Sequence, residues 1–100
     1  MSVEVLECEK GFMTYKMDSD NCVIFDMFVL PEFRGSKGSA EMADIISKKA
    51  LSHGCKFLIG FVNFPSPYPE QSLLCQLRYG FKIKEVTENK IILIKEIKNG

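Results

Sequence analysis

The stretch Phe28-Val29-Leu30-Pro31-Glu32-Phe33-Arg34-Gly35-Ser36-Lys37-Gly38-Ser39-Ala40 reads as the end of a strand, a glycine-rich turn and the start of a helix. Pro31 stops the strand, because its ring fixes φ and removes an N–H. A turn of this composition aims several backbone N–H groups at one spot. The helix N-terminus behind it adds a partial positive charge, and such a spot suits a phosphate. No histidine cluster, metal spacing or serine elbow competes with it.

Upstream, Cys22 to Leu30 is almost continuously apolar and is broken only by Asp26. That pattern predicts a central strand buried on both faces. Val3–Glu7 and Phe12–Met17 read as two earlier strands, separated by Glu9-Lys10-Gly11 and followed by the polar turn Asp18–Asn21. Downstream, Ser39–His53 reads as a helix with Met42, Ile45, Ile46, Lys49 and Ala50 on one face, the lysine laying its stem along it. Gly54 caps it. Lys56–Val62 is another apolar strand, so strand, helix and strand form a right-handed crossover with the two strands parallel. Three prolines in Asn63–Pro69 forbid regular structure, and Pro69 suits a helix start. Glu70–Tyr79 is a short helix capped by Gly80, and Phe81–Val86 and Lys90–Ile97 form a closing hairpin. The expected order is β-β-β-α-β-α-β-β: a single α+β domain over residues 1–100, with a mixed sheet of about six strands, a central parallel pair and two helices.

Composition narrows the partners. Thirteen basic and thirteen acidic residues cancel, and nucleic-acid binders usually carry a basic excess, so that partner is disfavoured. No apolar run approaches the ~20 residues of a membrane helix. No signal peptide is expected at the N-terminus. Cys8, Cys22, Cys55 and Cys75 are widely spaced. They read as reduced small hydrophobes in or near the core of a cytoplasmic protein, with no metal site.

Val29-Leu30-Pro31-Glu32-Phe33-Arg34-Gly35 resembles the GNAT superfamily of acyl-CoA-dependent N-acyltransferases at every position of its Val-x-Pro-Glu-(Tyr/Phe)-Arg-Gly pattern. His53-Gly54-Cys55-Lys56 and Gly80-Phe81 are similar to two further family features. The resemblance covers about residues 22–97. It implies a GNAT-like fold, acetyl-CoA (coenzyme A) as acyl donor and a small-molecule or peptide amine as acceptor. It further implies that the Met27 amide faces the thioester oxygen, that Val29 pairs with the pantetheine amides, and that the pyrophosphate sits on the amides of Arg34, Gly35, Ser36, Lys37, Gly38 and Ser39. Three departures stand out. Lys37 and Ser39 occupy the family's glycine positions, with Gly38 between them. Gln76 occupies the position of the tyrosine that protonates the departing thiolate. Only 21 residues precede Cys22, so a short, N-terminally truncated member is expected.

Direct attack of an amine on a thioester needs a held thioester, a donor for the developing oxyanion and proton traffic. Asp26, the one charge in the apolar strand, is the candidate general base if buried; otherwise it is an aspartate paired to a lysine or facing solvent. The family's usual glutamate base falls on Val23, which cannot serve. Tyr68, in the proline loop, is the candidate proton donor; Tyr79 sits beside the capping glycine, where packing is the simpler role. Two functions follow: a minimal N-acetyltransferase, or a non-catalytic GNAT-fold module that binds coenzyme A or a protein. An exposed strand edge would favour a homodimer under either.

Overall fold

The computed structural model describes residues 3–34 and 38–98. Strands β1 (Glu4–Cys8), β2 (Gly11–Asp18) and β3 (Asn21–Val29) form an antiparallel meander. A single 3₁₀ turn at Pro31–Phe33 follows, then helix α1 (Gly38–Ser52) and β4 (Phe57–Asn63), which lies parallel to β3. Helix α2 (Pro69–Tyr79) leads to β5 (Lys82–Val86) and β6 (Lys90–Glu96), with β6 inserted beside β4. The six-stranded sheet runs β1-β2-β3-β4-β6-β5. Element order, mixed sheet, central parallel pair and two helices agree with the sequence reading.

Local chemistry sets the helix ends. α2 begins with Pro69, whose missing N–H would be an orphan there anyway. It ends at Gly80 in the left-handed region (φ 116°), where the N–H groups of Gly80 and Phe81 both reach the Gln76 carbonyl. α1 closes at Gly54 (φ 87°), and His53 Nδ1 lies 2.9 Å from the Lys49 carbonyl.

Both helices cover one face of the sheet. Met42, Ile46 and Ala50 of α1 join Met13, Tyr15, Cys22, Ile24, Leu58 and Leu93 in one core, with Leu73 and Tyr79 of α2 packed against it. The helices also touch each other: Tyr79 Oη donates to Asp44 Oδ1 at 2.7 Å and lies 3.2 Å from Ser47 Oγ. Burial, and to a lesser degree Asp44, pushes the Tyr79 hydroxyl up to about 12. A folded-state value above the unfolded one stabilises the fold below pH ~10 and is lost as pH rises toward ~12. Denaturation midpoints at pH ~9 and ~11 should therefore fall further for the wild type than for Tyr79→Phe; equal falls would remove Tyr79 as the cause.

The apolar stripe of α1 differs from the expected one. Ala43 is buried while Ile45 and Lys49 are exposed. Small residues at 43 and 50 let the helix approach the sheet closely, which turns Ile45 outward.

β3 is not buried on both faces. Its pairing with β2 skips one residue, because Thr14 opposes Asp26 while Tyr15 opposes Ile24, leaving Phe25 as the extra residue of a bulge. Cys22 and Ile24 face the core; after the bulge Met27 and Val29 take over that phase, and Phe25, Asp26 and Phe28 are exposed. No described helix covers the sheet's second face, which is why an apolar strand is half solvated.

All four cysteines are free. Burial, then the neighbouring Cys55, pushes the Cys22 thiol up to about 12, and burial, then Asp20, raises Cys55. Both thiols are therefore poor nucleophiles. Cys75 is exposed on α2 rather than in the core. Among the described residues no helix is long and apolar enough to cross a membrane.

Candidate active site

β3 and β4 pair only from Asn21/Phe57 to Val23/Ile59 and then part. β3 continues to Val29 and β4 to Asn63, so the two strands form a fork. The backbone groups facing it follow from the strand period of two. Leu30 N–H donates to the Lys10 carbonyl on the β2 side. Val29 and Met27 therefore face away from β2, into the fork. Phe57 N–H donates to the Asp20 carbonyl on the β3 side, so Phe61 faces the fork as well.

A cavity of about 500 Å³ occupies this fork. Residues 24–29 of β3 and Gly60, Phe61 and Asn63 of β4 form its walls. Ser39 and Ala43 from the first turns of α1 and Gln71, Ser72, Cys75 and Gln76 of α2 lie on its helix side. Ser66 and Tyr68 of the proline loop line it too, as do Phe33, Arg34 and Phe81. Because Met27 and Val29 belong to the core-side phase and Asp26 and Phe28 to the bare face, the cleft reaches both sides of the sheet.

The candidate residues divide as follows. Met27 and Val29 are half-buried walls whose backbone faces the cleft. Asp26 is exposed, so the buried carboxylate is not found. Its Oδ2 accepts from Thr14 Oγ1 at 3.3 Å, and it has no ion pair among the described residues. Tyr68 is 68% exposed at the start of α2 and lines the cleft. Ser39 also lines it. Gly38 is buried, and a Cβ there would lie 2.9 Å from the Phe33 carbonyl oxygen and 3.2 Å from Val29 Cγ1, so glycine lets α1 start against the end of β3. Arg34 departs from expectation. Its amide N–H is already given to the Pro31 carbonyl at 3.2 Å, closing the 3₁₀ turn. Its Nε donates to the Val29 carbonyl at 2.7 Å, and the guanidinium lies 5.1 Å from the Phe28 ring centroid. It braces the strand end rather than offering its amide to an anion. Gly35, Ser36 and Lys37 lie outside the described residues.

Two residues, Gln76 and Gly60, have parts in the site that the sequence reading did not assign. Gln76 Nε2 donates to the Phe61 carbonyl at 3.0 Å, capping a group that faces the fork. Gln76 Oε1 is buried without a partner. It occupies the space over Gly60, where an added Cβ would run into Oε1 and come within 3.3 Å of Gln76 Cδ. A glycine inside an apolar strand is a signal of close approach, and it was present at Gly60. Among the described residues no group of three metal-ligating side chains occurs.

No protein-family model matches the chain, and no curated protein does. Solved structures do. One is a GNAT-family acetyltransferase of Desulfovibrio desulfuricans, with TM-score 0.76 and 19% identity over 89% of this chain. Ard1 of Thermoplasma volcanium matches with TM-score 0.74 and 14% identity over 89% of this chain. The PaiA N-acetyltransferase of Thermoplasma acidophilum, solved with coenzyme A, matches with TM-score 0.72 and 17% identity over 86% of this chain. The chain spans 62%, 64% and 52% of those three proteins respectively. The fold is GNAT-like.

Proposed function

We propose that this GNAT-like domain transfers an acetyl group from acetyl-CoA to a small-molecule or peptide amine. The observation that carries the reading is the fork: two strands that separate and turn backbone freed from strand pairing, such as that of Met27, toward a cleft ending at the first turns of α1. Backbone edges of this kind take up an extended, amide-bearing ligand as they would a further strand. The pantetheine arm of coenzyme A has that chemistry, so the residues fit the group. Met27 and Val29 would hold the arm, and Ser39 at the start of α1 would lie toward the phosphates. The orphaned Gln76 Oε1 is a further acceptor at the cleft wall for an N–H donor. Acetyl-CoA bound there supplies an acetyl group activated as a thioester.

The chain's own groups then have separable tasks. The Met27 N–H stabilises negative charge on the acyl oxygen as the C–N bond forms and the C–S bond breaks. Asp26, exposed on the bare face, lacks the burial that its role as general base required, so the attacking amine gives its proton to solvent. The Tyr68 hydroxyl gives one to the departing sulfur. Four free cysteines support a reducing compartment such as the cytoplasm.

Gln76 favours a second reading. An amide stands where similar enzymes have a phenol, which suits a domain that binds coenzyme A without turnover. Calorimetric titration with acetyl-CoA, followed by thiol release across an amine panel, decides. Binding with amine-dependent thiol release is expected. Binding without release favours the module, and no binding at ~1 mM, an affinity of about −4 kcal/mol, overturns both.

A further inference from the structure

Gly60 is the first residue of β4 beyond the point where β3 and β4 part, since their pairing ends at Val23 and Ile59. It belongs to the helix-side phase of β4 with the buried Leu58 and Val62. No side chain of β4 fills that spot, and the Gln76 amide of α2 does. The space is used up: an added Cβ would run into Gln76 Oε1 and come within 3.4 Å of Phe81 Cε1.

The amide is pinned there. Its Nε2 donates to the Phe61 carbonyl at 3.0 Å and lies 3.4 Å from Ser72 Oγ. Turning the amide over would set Oε1 against the Phe61 carbonyl oxygen. Oε1 therefore stays over Gly60, buried and without a partner. A buried orphan acceptor is unfavourable by itself, and what it does here is close the cleft.

The order of residues along the cleft gives it a direction. Ser39 stands at the α1 end, Val29 and then Met27 follow inward along β3, and Ile24 and Gly60 stand where the strands rejoin. An arm held by Val29 and Met27, with its phosphates toward Ser39, points its acyl end at this junction. Ile24 is 9% exposed there and Phe81 is 6% exposed, and both belong to the core. Gln76 is the part of the closed end that lies outside the core.

We propose that Gln76 fixes the length of acyl group this cleft accepts: its amide, seated over Gly60, leaves room for acetyl and shuts out butyryl. The proposal rests on acetyl-CoA lying in the fork as proposed for the domain's function, and it does not depend on turnover. Gln76→Ala removes the side chain beyond Cβ and so deepens the cleft toward Gly60.

Calorimetric titration with coenzyme A, acetyl-CoA and butyryl-CoA tests it, read as the ratio of acetyl to butyryl affinity so that a general loss of affinity cancels. The wild type should bind butyryl-CoA at least ~10-fold more weakly than acetyl-CoA, and Gln76→Ala should bring the two within ~3-fold. Gln76→Leu, which keeps the bulk without the amide, should keep the gap. Adding Gly60→Ala to Gln76→Ala puts a methyl group where the amide was and should widen the gap again. A wild type that binds both thioesters equally overturns the proposal, whether or not any variant folds. A gap that survives Gln76→Ala, or that Gln76→Leu abolishes, overturns it too. Coenzyme A separates the failures: no binding of it to the wild type removes the proposed function as well, whereas binding without acyl discrimination removes this inference alone.

Discussion

Gly11→Ala should cost about 3 kcal/mol, the upper end for single substitutions, and lower the melting temperature by roughly 12–24 °C. Gly11 opens β2 at φ 154°, opposite Val29. An added Cβ would strike the Phe28 carbonyl oxygen and sit 2.9 Å from its carbonyl carbon and 3.0 Å from Val29 Cα. Those atoms are backbone, held by the β2–β3 ladder, and cannot swing aside as a side chain can. Relief requires moving β3, the strand that carries the cleft wall. A domain of this size has only about 5–15 kcal/mol in hand, so the variant should also bind coenzyme A more weakly. Thermal melting by circular dichroism measures the first effect, and a shift under ~3 °C would show that β3 yields easily.

Met27→Pro is expected to reduce amine-dependent thiol release by about 10²–10³-fold, the range for losing one oxyanion donor. Proline in the middle of a sheet usually breaks a ladder bond. At position 27 the N–H faces the fork instead of β2, so the substitution removes a donor from the cleft and leaves the β2 ladder bonds in place. The paired control is Phe28→Pro, whose N–H faces β2; it should destabilise the fold rather than act on chemistry alone. Equal melting temperatures for Met27→Pro and wild type, together with lost turnover, would assign the effect to the cleft. Full turnover in Met27→Pro would remove the backbone donor from the mechanism.

The order of elements was legible because this chain punctuates strongly. Pro31, Gly54, Pro69 and Gly80 mark element ends with residues whose backbone restrictions are local. Helix α1 and the β3–β4 crossover follow from apolar period alone. What periodicity could not reveal depends on neighbours far along the chain. An apolar run such as Cys22–Leu30 looks the same whether one or both faces are covered, and only the placement of both helices on one side shows that Phe25 and Phe28 are solvated. The bulge at Phe25 leaves no compositional mark, so Asp26 could be read as buried. Arg34 sits in the motif as expected, yet its contacts with Val29 and Phe28 depend on a turn geometry that residue types do not specify. Gln76 was noted for the tyrosine it replaces; its bond to Phe61 exists only because Gly60 leaves room.

The extra residue at Phe25 also makes the spacing of β3 a kind of reading frame. Were the strand to pair without the bulge, slipped by one residue beyond Ile24, Asp26 and Phe28 would enter the core phase, and Met27 and Val29 would lose the cleft. Removing Phe25 instead would straighten the ladder and keep Asp26 opposite Thr14 and Met27 opposite Met13. A substitution here changes one side chain at a time, whereas a slip of register exchanges inside for outside at once, and the extra residue is what holds this segment in frame.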